Sequence, residues 1–400
     1  MGSPPNFSDF LPKNYCISHI ILISNRSNML RKFFKNYVYP VVTLTGGIMG
    51  VGFLSLPYIA SQVGIWLMLF YGVALTALVV SIHVIFGAIC LKTPDFKRWP
   101  GFIEFYFGKP AKFLILPIII AGSFGVLLVY LIVGSQFLHA TFGPMVGGRQ
   151  VVYLLIYWAL GSFLIFRGVR VISRFDFWAL IFLFASLIII LWRGTLHIDL
   201  GNIFTLGRPF EAQNLFLPYG AILFSLWGTG LIPEVEEMIA GSKKSLKKVI
   251  IAGILIPALF YSLFIVLVLS ITGSGTTESA LIGIKDALGN GIISFILLIG
   301  VATTLLAFVA SGLLLKKVFM YDMGIKESYA FLAVCLIPLG LFLFGFNAFI
   351  PLISFIGGVL LGIEGVLILI IYRKIGGKAI VAYPLMSVFV IGIVYSILNS

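Results

Sequence analysis

TLTGGIMGVGFLSLPY, residues Thr43 to Tyr58, is the stretch on which the reading of this chain turns. Apolar residues lead into it and out of it, yet Gly46, Gly47, Gly50 and Gly52 crowd its middle. Each glycine inside a helix costs roughly 0.5–1 kcal/mol relative to alanine. Lipid, in addition, offers nothing to satisfy a freed backbone group. Two arrangements accommodate such a segment in a bilayer. One is a discontinuous helix, unwound around Gly46–Gly52, whose open backbone faces a protein-lined cavity and binds a substrate, as in secondary transporters. The other is a packing face on which small residues let two helices approach closely.

Composition decides the solvent. The 400 residues are 60% hydrophobic and 10% charged, with a mean hydropathy of +1.13. A soluble domain carries roughly 25% charged residues, so this is an integral membrane protein. The net charge of +13 sits in short clusters between apolar runs, which argues against nucleic acid as a partner. Cys16, Cys90 and Cys335 are scattered without metal spacing and imply no disulfide framework. With four histidines and no HExxH, GxSxG or phosphate-binding loop, neither an enzyme nor a cofactor is indicated.

Residues 1–36 read as a cytoplasmic tail. Ile17–Ile23 is too short to span, no signal-type cleavage site follows it, and Met29 offers an alternative start. Eleven apolar spans follow, near 37–63, 65–91, 112–141, 150–166, 175–192, 214–240, 249–272, 290–320, 328–345, 348–372 and 379–398. Spans 1–5 fill 37–192, an outer loop covers 193–213, spans 6–10 fill 214–372, and 373–400 holds the eleventh. The outer loop and Thr277–Leu288 each suit a short surface helix. Of the 27 lysines and arginines, 23 fall on the side of the N-terminus. The other side receives only Arg149, Arg193, Arg208 and Lys285. That bias places the N-terminus in the cytoplasm and the C-terminus outside the cell membrane.

A second interruption lies in the sixth span, at Leu226-Trp227-Gly228-Thr229-Gly230, with Pro233 and Glu234 after it. Pro233 fits the first turn of a resuming helix. Spans one and six are five apart, so the two units enter the membrane from opposite sides. This is the pattern of an inverted repeat, 1–5 against 6–10, and it favours broken helices over mere packing.

Five stretches then carry a family resemblance. GGIMGVGFLSLPYIASQVG, GFIEFYFGKPAKFL (Gly101–Leu114), FSLWGTGLIPEVEEMI (Phe224–Ile239), GVATTLLAFVASGLLL (Gly300–Leu315) and FLAVCLIPLGLFLFGFNAFIPLISFIGG (Phe331–Gly358) occur in that order. Together they resemble permeases of the amino acid–polyamine–organocation (APC) superfamily, closest to the amino acid/auxin and hydroxy/aromatic amino-acid branches. The sequence Trp227-Gly228-Thr229 departs from the usual sixth-helix break of the aromatic branch. The resemblance implies an all-α LeuT-type 5+5 inverted repeat with discontinuous helices 1 and 6, plus an eleventh helix. It also implies ion-coupled symport of amino acids, aromatic or otherwise hydrophobic ones included, by alternating access.

A free amino acid is a zwitterion, and a broken helix offers a partner for each end. Backbone N–H groups of Gly50, Gly52 and Phe53, where the helix resumes, suit the carboxylate. Carbonyls of Thr45, Gly46, Gly47 and Ile48, and of Ser225, Leu226, Trp227 and Gly228, suit the amino group. Phe124, Tyr130 and Trp227 are candidates for contact with the substrate side chain. For coupling, the resemblance matches Thr303 and Thr304 to a hydroxyl pair that completes a sodium site, with Gly46, Met49 and Gly300 supplying carbonyls. The alternative ion is a proton, for which His83, Glu234 and Glu364 are the titratable candidates in the spans. Glu364 lies nine residues before Arg373, roughly 13 Å of helix, too deep to snorkel readily. Proton coupling is the expectation and sodium coupling the alternative. A channel and a non-transporting amino-acid sensor of the same fold are the readings of a different class.

Overall fold

The structure is a computed structural model and describes residues 33–95, 97–168, 172–205, 215–239, 243–289 and 291–398. Most of the expected tail and positions 206–214 of the outer loop, with Arg208, lie outside the described residues. The first span divides where its glycines dictate. Helix α1 (Tyr39–Ile48) ends at Met49, whose φ of −76° and ψ of 69° leave the helical region. A 3₁₀ turn (Gly52–Ser55) then leads into α2 (Leu56–Val63), and the two pieces are bent by 52°. Pro57 lies in the first turn of α2, where a missing N–H does no harm and the fixed φ suits the helix. Pro40 follows a π-helical turn (Phe34–Val38) that runs directly into α1. Gly64, at φ 82°, adopts a backbone that side-chain-bearing residues rarely tolerate, and it reverses the chain into α3 (Ile65–Cys90).

Helix α4 (Trp99–Phe107) precedes α5 (Lys109–Val146). At about 1.5 Å per residue α5 exceeds a hydrocarbon core of about 30 Å, so it tilts or projects beyond it. Helices α6 (Gln150–Arg167) and α7 (Ile172–Gly194) complete the first half, and α8 (Gly201–Thr205) is a short helix in the connection between the halves.

The second half opens as the first did. Helix α9 (Leu217–Leu226) has the ten-residue length of α1 and carries Pro218 in its first turn. After Trp227 and Gly228 come a 3₁₀ turn (Thr229–Leu231) and α10 (Ile232–Met238), with Pro233 in its first turn. The chain continues through α11 (Lys243–Thr272), the short α12 (Ala280–Leu288), α13 (Gly291–Lys317) and α14 (Glu327–Leu343). Helix α15 (Phe349–Phe355) passes through a π-helical turn (Ile356–Leu360) into α16 (Leu361–Lys374), and α17 (Ala379–Leu398) closes the fold.

Seven helices among the described residues are long and apolar enough to cross a bilayer, and the bent α1–α2 pair makes an eighth. Each of the eleven expected spans falls on helix. The remaining three are the described part of α7, the broken α9–α10 pair and the short α14.

Both broken helices pack with α3 and α11 in one group, while α5, α6, α13 and α14 form another. Small residues set the closest approach. A Cβ on Gly357 would overlap the Gly220 carbonyl, and one on Gly220 would overlap that of Ser354, so α9 and the π turn meet backbone to backbone. The basic connections gather at one end. Lys112 pairs with Glu104 at 2.9 Å and Asp322 at 3.2 Å, Lys92 donates to the Ile375 carbonyl at 3.2 Å, and Lys374 donates to that of Tyr106. Lys112 holds the exposed Glu104 carboxyl below its usual range. At the other end, buried Lys285 of α12 donates to the Ala140 carbonyl of α5.

Candidate functional site

The two breaks lie against each other. A Cβ on Gly47 would run into Leu231, one on Gly52 would lie 2.6 Å from Phe224 Cδ1, and one on Gly228 would lie 2.6 Å from Ile48 Cγ1. Three of the glycines therefore make room for the other break, as the packing reading expects. Gly50 differs: its nearest neighbour would be the Tyr130 hydroxyl of α5, at 2.9 Å. Here the backbone faces a polar tip.

Hydrogen bonding at the first break fixes which groups are free of the helix ladder. The Met49 N–H still reaches the Thr45 carbonyl (2.9 Å), but the Gly50 N–H turns back to that of Ile48 (2.8 Å). The ladder restarts with Leu54 N–H to the Val51 carbonyl at 3.1 Å. The N–H groups of Val51, Gly52 and Phe53 precede that restart and have no intrahelical partner, as at any helix N-terminus. They follow Gly50, which faces the Tyr130 hydroxyl, and form the polar end best suited to an anion. Thr45 points elsewhere, donating to the Gly253 carbonyl of α11 at 3.4 Å.

The second break is closed by the chain's own side chains. His83, fully buried on α3, has its Nδ1 2.8 Å from the Val79 carbonyl and accepts the Gly228 N–H on Nε2, also at 2.8 Å. With Nδ1–H donating and Nε2 accepting, the ring is a neutral imidazole with both nitrogens engaged. Thr229 donates its hydroxyl to Glu364 Oε1 of α16 at 2.5 Å. Trp227 lies beside the same carboxyl, but its Nε1–H makes no well-aligned hydrogen bond. Its ring stands edge-on to His83 at 5.3 Å and to Phe389 at 6.0 Å. No ion pair among the described residues involves Glu364.

The first half-helices of the two breaks end at one point. Tyr261 of α11 donates to the carbonyls of Ile48, at 3.3 Å, and Ser225, at 3.1 Å. Ser225 turns its own hydroxyl to Ala221, and Leu226 is buried behind it. Two inverted, proline-started, interrupted helices sharing one junction are the geometry of a transporter core.

Comparison with known proteins agrees. The model of the family described as "Transmembrane amino acid transporter protein" matches residues 36–372. The chain belongs to this transmembrane amino acid transporter family, within the APC superfamily. Solved structures of similar fold include Mhp1, a nucleobase-cation-symport-1 family transporter in a closed conformation with bromovinylhydantoin bound. Its TM-score is 0.61 at 14% identity, over 85% of this chain and 79% of that one. The inward-facing conformation of Mhp1 gives 0.63 at 13%, over 90% and 88%. MhsT in complex with L-phenylalanine gives 0.53 at 17%, over 90% and 97%. These likenesses show the LeuT fold. No curated protein matches the chain.

In this family member the remaining candidates are spread more widely than their sequence positions suggest. Phe124 lies on the same helix as Tyr130 but packs against Phe319, 6.0 Å away at the basic end. Trp227 faces α3 and α17. Glu234 is exposed on α10. Thr303 and Thr304 both donate to the Gly300 carbonyl, at 3.1 and 2.8 Å. A Cβ on Gly300 would lie 2.9 Å from Phe137 of α5, so the Gly300 side of α13 faces that helix. Half-helix α1, with Gly46 and Met49 at its end, has α11 and α7 as its main neighbours. Two residues that bond to the breaks and that sequence reasoning passed over are Thr229 and Tyr261. Each acts on a partner in a distant span, and neither stands out in its own.

Proposed function

We propose that the chain carries a free amino acid together with a proton, the substrate lying across the two breaks. The carboxylate meets the N–H groups of Val51, Gly52 and Phe53 beside the Tyr130 hydroxyl. The amino group meets carbonyls at the ends of α1 and α9 that lack a helical donor, those of Gly46, Gly47 and Leu226. An apolar or aromatic substrate suits the surroundings, and MhsT was solved with L-phenylalanine. The basic end faces the cytoplasm, by the charge bias of the connecting loops.

One observation carries the proton reading. Glu364 is bonded to the hydroxyl of a residue inside a break and joins no ion pair among the described residues. A carboxyl at membrane depth is functional by default, and here it can gain or lose a proton in contact with an element that moves in alternating access. His83, with both nitrogens engaged, is the cap of the second break rather than the carrier. Sodium coupling is the second reading. It rests on the Thr303–Thr304 pair, whose oxygens keep lone pairs after donating to the helix.

Uptake by proteoliposomes, offered a panel of amino acids with sodium and pH gradients set independently, tests this. Accumulation driven by an inward proton gradient in sodium-free buffer is expected. Accumulation that needs sodium and ignores a collapsed pH gradient overturns the proton reading in favour of the threonine pair.

A further inference from the structure

Carbonyls at the C-terminal end of a half-helix carry partial negative charge and attract cations. Here two such ends, Ile48 of α1 and Ser225 of α9, converge on one point, and the group found there is the neutral hydroxyl of Tyr261. Its single proton is shared between the two carbonyls; that of Ile48 also accepts the Gly50 N–H at 2.8 Å, and each keeps acceptor capacity facing the junction. The ring is locked. Tyr261 is 3% exposed and stacks on Phe53, with centroids 5.2 Å apart and planes at 3°. Phe53 is in turn held edge-on by Phe260 and Phe264. One side chain thus touches the end of α1, the end of α9 and the first turn after the first break.

We propose that the Tyr261 hydroxyl is a built-in occupant of a monovalent-cation position between the two half-helix ends, holding them together without an ion. Shortening the side chain then exposes two converging carbonyls and leaves room for a small hydrated cation, which oxygen ligands suit. Tyr261 is a positioning residue: it acts on the substrate through the two breaks. The inference rests on the transport reading only for its consequence. Cation binding at this junction is measurable without any substrate.

The experiment is thermal unfolding of the purified full chain in detergent, in about 100 mM sodium chloride against choline chloride, where a saturating ligand raises stability by mass action. Wild type sets the background sodium response, including any from the Thr303–Thr304 pair. Tyr261→Ser is expected to add a saturable rise of several degrees that is specific to sodium. Tyr261→Phe keeps the stacked ring and bars the cation. It is expected to melt several degrees below wild type with no added response. Equal sodium responses in the Ser and Phe variants would overturn the proposal. A Phe variant as stable as wild type would also overturn it, and that outcome decides the matter even if the Ser variant does not fold.

Discussion

At the first break the N–H groups of Val51, Gly52 and Phe53 have no helical partner and Gly50 faces the Tyr130 hydroxyl, whereas at the second the Gly228 N–H is taken by His83 and the Thr229 hydroxyl by Glu364. Both breaks follow a ten-residue half-helix with a proline in its first turn, and both resume through a 3₁₀ turn onto another such proline. With the backbone plan the same, the difference lies in what satisfies it. Helix ends in lipid must find partners. The first break leaves N–H groups without a helical partner, which the proposed substrate would meet, while the second draws its partners from α3 and α16. Under the proposed function, the first selects what is carried and the second senses a proton.

Gly50→Val attacks the first break and has the largest expected effect, a loss of uptake of about 100-fold or more with the protein still folded. The added side chain displaces the Tyr130 hydroxyl at the start of the run of N–H groups that have no helical partner. Size-exclusion chromatography and uptake on the same preparation check both halves of that statement. Gly228→Leu separates the two kinds of glycine. Its side chain would strike Ile48, so folded protein in the membrane should fall along with uptake.

His83→Leu comes next. It strands the buried Gly228 N–H, which costs about 1–3 kcal/mol, so the melting temperature should drop by several degrees. An unchanged melting temperature would mean the second break is not held from α3. Tyr130→Phe removes a donor beside the carboxylate. A hydrogen bond to a charged group contributes about 1.5–3 kcal/mol, so KM should rise by about 10-fold or more with kcat little changed. The smallest effect belongs to Trp227→Phe. The indole N–H makes no well-aligned hydrogen bond, so uptake should stay within about threefold of wild type.

Much of this was legible in the sequence, for a physical reason. Glycine and proline inside an apolar run are costly in lipid, so the breaks at Gly46–Gly52 and Gly228–Pro233 stood out, and Glu364 stood out by its charge. The partners did not. Thr229 and Glu364 are 135 positions apart, and His83 and Gly228 are 145 apart. No local pattern links such pairs. His83 showed as a titratable group in a span, yet its neutral capping role follows only from the Val79 carbonyl on one side and the Gly228 N–H on the other. Phe124 and Tyr130 were indistinguishable as aromatics of one helix, and only the bend at Met49 brings the break to Tyr130. Tyr261 was hidden among the aromatics of α11. Helix α4, between the second and third spans, has no signature as a span because at nine residues it lacks the length of one.

The division of labour between the breaks is tested most directly by Glu364→Gln in proteoliposomes, with counterflow exchange and gradient-driven accumulation measured on one preparation. Glutamine keeps an acceptor for Thr229 but cannot cycle a proton. Exchange close to the wild-type rate with accumulation abolished is the expected result. Loss of exchange and accumulation together, or accumulation that persists under a proton gradient, would contradict the assignment of the second break to coupling.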